Sequence, residues 1–164
     1  MAQLLRLYDG EIAWNDHVFG EFRRQLEARG VNAVTVVIAD HGEEFGEHGR
    51  FGHLSLYREV LDIPFLIHLP GQTEGRRVDA PVQQADIVPT LVDLAGGKIA
   101  EEVDGLSLVP LLRGSRRRFA GADSRPVVSV SLLGLRRVTR AEVYGCSAIR
   151  KRCGPSGPGR RPSR

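Results

Sequence analysis

The sequence predicts an α/β fold built on a mostly parallel sheet. Three observations carry that expectation. Two continuous apolar runs, at residues 33–39 and 63–69, do not alternate in polarity, so each reads as a strand buried on both faces. Amphipathic helical patterns flank them, at residues 4–29 and beyond Asp86. The first strand runs directly into a polar, glycine-rich loop, and open α/β sheets place their ligand sites at that end of a strand.

Taken in order, Leu5, Ile12, Phe19 and Leu26 recur every seven residues, with Tyr8 and Phe22 on the neighbouring turn, which makes one apolar helical stripe. Gly30 is a natural stop just beyond that helix. AVTVVIA at 33–39 is the first strand, and the loop DHGEEFGEHGRFGH fills 40–53. A short helix is expected over 55–61 and a second buried strand over 63–69, closed by Pro70-Gly71. Residues 72–82 read as polar loop. Asp86 is placed to cap a helix whose pattern Ile87, Leu91, Leu94 runs to Gly96-Gly97, and Pro89 fits only in its first turn. Asp104-Gly105 is a turn, 108–112 a short apolar segment and 127–130 a candidate strand.

The 164 residues hold 23 basic and 20 acidic side chains, a net charge of +3 that conceals a division. Residues 1–112 carry 9 basic and 18 acidic groups, a net of −9, and residues 113–164 carry 14 and 2, a net of +12. The full sequence is 41% hydrophobic and 26% charged, and its first part reads as globular. No apolar run approaches the roughly 20 residues that span a bilayer, and residues 1–7 lack the apolar core of a signal peptide. Cys146 and Cys153 both lie near the end and make no disulfide framework. Arg, Gly, Pro and Ser supply 14 of the 19 residues from 146 to 164, too few apolar groups for a core. The expected organisation is therefore a domain over 1–130 and a basic, disordered tail over 131–164. The tail composition also fits out-of-frame translation of a GC-rich gene. A nucleic-acid binder working through Arg116, Arg117 and Arg118 is an alternative, but only Phe119 and Tyr144 offer aromatic stacking there.

Chemistry concentrates in the loop after the first strand. Asp40 and His41 put a carboxylate and an imidazole on adjacent residues where the chain turns, and Gly42 permits the turn. Together they suit a divalent cation; Zn²⁺, Mn²⁺ and Fe take imidazole readily, whereas Ca²⁺ prefers oxygen. An isolated Asp-His-Gly is more often a hydrogen-bonded polar pair. Here His41, His48 and His53 are three of the five histidines, and Glu43, Glu44 and Glu47 add negative charge, which tips the balance toward a site. His48 reads either as a group that orients a ligand or as an exposed loop histidine. His68 in the apolar IPFLIHL run reads as a satisfied core histidine, and His17 as structural. Asp9, Glu11 and Asp16 read as a solvated face, and Tyr57 and Glu59 as packing or capping groups of the short helix.

DHGEEFGEHGRFGH, followed by SLYREVLDIPFLIHLPG, resembles the sulfatase family of the alkaline-phosphatase-like superfamily. YDGEIAWND at 8–16, QADIVPTLVDLAG at 84–96 and DGLSLVPLLRG at 104–114 extend the resemblance, in the family's order, over residues 4–114 and on to about 130. It implies an α/β sandwich on a largely parallel sheet and hydrolysis of small-molecule or glycan sulfate esters with a bound divalent cation, commonly Ca²⁺. Asp40 and His41 occupy the positions of two cation ligands. His53, thirteen residues beyond Asp40, occupies the position of the Lys or His that contacts the sulfate and assists the leaving group. An imidazole can deliver a proton near neutral pH.

The resemblance also implies a formylglycine nucleophile made from a Cys-x-Pro-Ser-Arg motif, and a paired-aspartate segment with further metal ligands, both well upstream of the Asp-His loop. Only 39 residues precede Asp40 and neither motif is among them, so Met1 is expected to lie inside a longer catalytic domain and the chain alone to be inactive. Cys153-Gly154-Pro155-Ser156-Gly157 imitates the motif but lacks the arginine and follows the loop. Phosphodiesterases and phosphonate hydrolases of the same superfamily share the Asp-His pair and form the alternative reading.

Overall fold

The structure, a computed structural model, describes residues 2–99, 102–115, 126–131 and 136–139. The first helix, α1, spans Ala2–Ala28. It stops where the sequence predicts: Gly30 adopts φ +71°, its N–H donates to Glu27 O, and the Val31 N–H donates to Leu26 O. Its C-terminal part carries the half-buried Phe19, Arg23 and Leu26. Leu5, Ile12 and Phe22 of the apolar stripe stay exposed, and Tyr8 meets Phe45 edge-on at 4.9 Å.

Strands β1 (Thr35–Ile38) and β4 (Phe65–His68) occupy the two apolar runs, and between them lie β2 (Glu44–Phe45), β3 (Phe51–Gly52) and helix α2 (Arg58–Leu61). The described residues show no parallel pair, so the expected mostly parallel sheet is not seen among them. Each described sheet has two strands, and all three pairs, β1–β4, β2–β3 and β5 (Val127–Val130) with β6 (Arg136–Thr139), are antiparallel. The physical reason is the connection. A parallel neighbour needs a crossover, usually a long helix; residues 39–64 hold only a hairpin and one helical turn, so the chain re-enters beside Ile38 at Phe65. A continuous apolar run reports burial, not strand direction. Even the burial is one-sided: Val36, Ile38, Phe65 and Ile67 face the core, while Val37 and Leu66 on the other face are exposed.

The core is Phe65, Ala80, Val82, Leu108 and Leu111, joined by Val78 and Ile87. A 3₁₀ turn at Gln84–Asp86 leads into α3 (Ile87–Leu94), with Pro89 in its first turn, and α4 follows at Val109–Leu112. α3 ends at Gly96, φ +73°, whose N–H donates to Asp93 O while Gly97 N–H donates to Val92 O. Asp86 does not cap α3 with its side chain; it closes the 3₁₀ turn instead, accepting from Gln83 N at 2.9 Å. Arg136–Thr139, inside the segment read as a disordered tail, form a strand against β5. Residues 140–164, with Cys146, Cys153 and most of the basic tail, lie outside the described residues, as do Arg116, Arg117 and Arg118. No helix among the described residues is long and apolar enough to cross a membrane.

Candidate functional site

β1 ends at Ile38, and two residues later the chain presents Asp40 at the mouth of an open cleft of about 550 Å³. Asp40, His41 and His53 line it together, with Gln83 and Gln84 to one side and Val127 to Ser131 of the β5 segment on another. The three residues singled out from the sequence thus share one cavity wall.

Local packing explains their placement. Gly42 N–H donates to Val60 O at 2.7 Å, and a Cβ on Gly42 would lie 1.9 Å from Glu59 O, so only glycine lets the loop close against α2. Gln84 Nε2 donates to Ala39 O at 3.1 Å and to Asp40 O at 2.9 Å, which pins the strand end. Sequence reasoning missed Gln84, whose partners lie more than forty residues away.

The Asp40 side chain is 88% exposed. Its Oδ1 accepts the His41 N–H at 3.0 Å, and its Oδ2 lies 3.6 Å from His41 Nε2. His41 Nδ1 donates to Gly42 O at 2.9 Å, which leaves Nε2 as a lone-pair donor. The His41 and His53 rings stack with centroids 3.9 Å apart and planes at 24°.

Glu43 was not separated from its acidic neighbours by the sequence, and the structure sets it against His53. Its Oε2 accepts from His53 Nδ1 at 3.0 Å. The hairpin explains why. β2 and β3 pair Glu44 with Gly52 and Phe45 with Phe51, so continuing the register by one residue sets Glu43 opposite His53. The signal was present as two phenylalanines enclosing a Gly-x-x-Gly turn, which closes through Gly49 N–H to Gly46 O. Glu44 alternates to the other face, is 2% exposed, and its Oε1 has no hydrogen-bond partner among the described residues. Among the described residues, His41, Glu43 and His53 are the group whose ligand atoms converge, all within 4.8 Å of one another.

His48 stands apart from that group. Its ring stacks on Tyr57 at 3.7 Å, and its Nε2 lies 3.2 Å from Glu59 Oε2. It ties the hairpin to α2. The Glu59 carboxyl is held below its ordinary value, first by its own backbone N–H; burial opposes this, and the His48 hydrogen bond and charge reinforce it. His68 is the satisfied histidine expected, with Nε2 3.2 Å from Gln72 O, and His17 sits exposed on α1 beside Trp14.

The family model described as Sulfatase matches residues 1–97. An arylsulfatase K of Danio rerio is 34% identical over 143 residues, 86% of this chain and 25% of that protein. A Delta 4,5-hexuronate-2-O-sulfatase of Bacteroides thetaiotaomicron is 38% identical over 93 residues, 54% of this chain and 19% of that protein. A solved phosphonate monoester hydrolase from Silicibacter pomeroyi superposes with a TM-score of 0.61 and 30% identity, over 81% of this chain and 26% of that one. The chain therefore spans about a quarter, or less, of the length of these relatives.

Proposed function

Because the chain belongs to the sulfatase family, we propose that it carries one wall of a sulfuric ester hydrolase site. In this reading Asp40 and His41 hold a divalent cation and His53 faces the sulfate of a small-molecule or glycan ester. The observation that carries it is the convergence of Asp40, His41 and His53 on one cleft, with the two imidazoles stacked at 3.9 Å.

The donor pair fits a cation. Metal–ligand distances of roughly 2.0–2.6 Å put neighbouring donors on one ion about 3–4 Å apart, and Asp40 Oδ2 and His41 Nε2 stand at 3.6 Å. The exposed Asp40 carboxylate leaves room for further ligands. Ca²⁺ is the favoured ion by family resemblance, with Mn²⁺ or Zn²⁺ as alternatives. When bound, the cation supplies positive charge beside the sulfate oxygens.

The chain's own residues do the rest. Glu43 accepts the Nδ1 proton of His53, which fixes the ring and leaves Nε2 to act on the substrate. From there a protonated His53 can hydrogen-bond a sulfate oxygen and pass its proton to the departing ester oxygen. Gln84 and the Gly42–Val60 bond hold Asp40 and His41 in place while this happens. The 164 residues contain no Cys-x-Pro-Ser-Arg motif, so the chain by itself is expected to show no turnover of an aryl sulfate.

A second reading, hydrolysis of phosphonate or phosphate esters, is favoured by the superposition on the phosphonate monoester hydrolase. The same wall would serve either tetrahedral anion, and the nucleophile would separate the two.

Calorimetric titration of the chain with Ca²⁺ tests the cation assignment. Asp40→Asn and His41→Ala should each weaken binding at least about tenfold. Equal affinity in parent and variants would remove these residues from the site.

A further inference from the structure

We infer that His41, Glu43 and His53 form a three-ligand zinc site, a different ligand set from the Asp40–His41 pair that a hard cation would use. Two borderline imidazole donors with one carboxylate make a set that suits Zn²⁺ better than Ca²⁺ or Mg²⁺. Their ligand atoms already lie within 4.8 Å of one another. A tetrahedral ion with ligands near 2.0–2.1 Å needs donor separations of about 3.3 Å. His53 Nδ1 and Glu43 Oε2 stand 3.0 Å apart, close to one edge of that tetrahedron. Zn²⁺ entering between them replaces the Nδ1 proton, which leaves to solvent.

The third ligand is also prepared. His41 Nδ1 donates to Gly42 O, the arrangement that fixes a ligating histidine with Nε2 free. The stacked rings bring that second imidazole beside the first. The β2–β3 hairpin register holds Glu43 across from His53, so the site depends on a ladder and not on a lone loop side chain. Three protein ligands leave a fourth position open to water or an anion.

Zn²⁺ binding itself follows from this geometry. Its consequence rests on the function proposed above: zinc would engage His41 and His53 together, and so compete with the cation and sulfate that those residues otherwise serve.

The test is equilibrium dialysis of the full chain against Zn²⁺, with Co²⁺ as a spectroscopic stand-in. Cys146→Ser and Cys153→Ser form the background, so that tail thiols cannot supply ligands. The expected result is one bound ion and the visible absorption of tetrahedral Co²⁺. Glu43→Gln and His53→Ala should each weaken Zn²⁺ at least about tenfold and abolish the Co²⁺ band. His48→Asn, at a histidine of the same loop outside the cluster, should leave both unchanged. Circular dichroism of each variant matching the parent shows that folding is retained. Zn²⁺ affinity that survives both Glu43→Gln and His53→Ala overturns the inference. So does Zn²⁺ binding that fails in Asp40→Asn but persists in Glu43→Gln, a result that would instead favour the Asp40–His41 pair. Loss of Ca²⁺ dependence on Asp40 with intact zinc binding would sink the proposed function alone.

Discussion

Asp86 is fully buried, and two backbone N–H groups from different segments converge on its carboxylate. Gln83 N donates to Oδ2 and Leu106 N to Oδ1, each at 2.9 Å. Thr90 continues the network: its Oγ1 donates to Asp86 O and accepts from Leu108 N. Replacing Asp86 with alanine strands two donors, each at about 1–3 kcal/mol. Asp86→Ala should therefore lower the urea midpoint, and an unchanged midpoint would show that water satisfies those groups. Periodicity marked Asp86 only as a helix cap, because a partner twenty residues away leaves no trace in local pattern. Glu59 offers a pH test. A carboxyl whose folded value lies below its unfolded value adds stability above the unfolded value and loses it as pH falls through the folded one. Stability should thus decline on acidification through the carboxylate range, and Glu59→Gln should flatten that decline in pH-dependent denaturation. An identical acid limb in the variant would contradict the assignment.

At the scale of elements, the hairpin, α2 and the strand end form one unit around Gly42. The Gly42–Val60 backbone bond and the His48–Glu59–Tyr57 contacts close it on two sides. A Cβ at residue 42 would meet backbone, not a yielding side chain, so Gly42→Ala should cost about 1–3 kcal/mol by overpacking. Thermal denaturation would detect this as a lowered Tm; an unperturbed Tm would mean that the loop and α2 separate freely. Much at this scale was legible in the sequence. Gly30 and Gly96 end helices where predicted, because a left-handed residue after an apolar stripe is a local signal. Both apolar runs are strands. Their antiparallel pairing was not legible, since direction depends on where the connection returns. Glu43 was hidden among three acids until the Phe45–Phe51 register singled it out.

The whole molecule joins a small core to a broad apolar surface. Among the described residues seven hydrophobic side chains are buried, whereas Leu7, Ile12, Trp14, Phe22 and Leu66 are each more than half exposed. Patches of this kind drive association, and among the described residues β1 and β4 pair only with each other, which leaves their outer edges to add to it. The charge division places the −9 segment around the candidate cation site. An anionic substrate would be repelled there without a bound cation, which couples the two ligands. That coupling makes labelled inorganic sulfate the sharpest probe. Equilibrium dialysis of the chain should show sulfate binding that needs a saturating divalent cation and falls at least about tenfold in His53→Ala. Sulfate binding indifferent to both the cation and His53 would contradict the account.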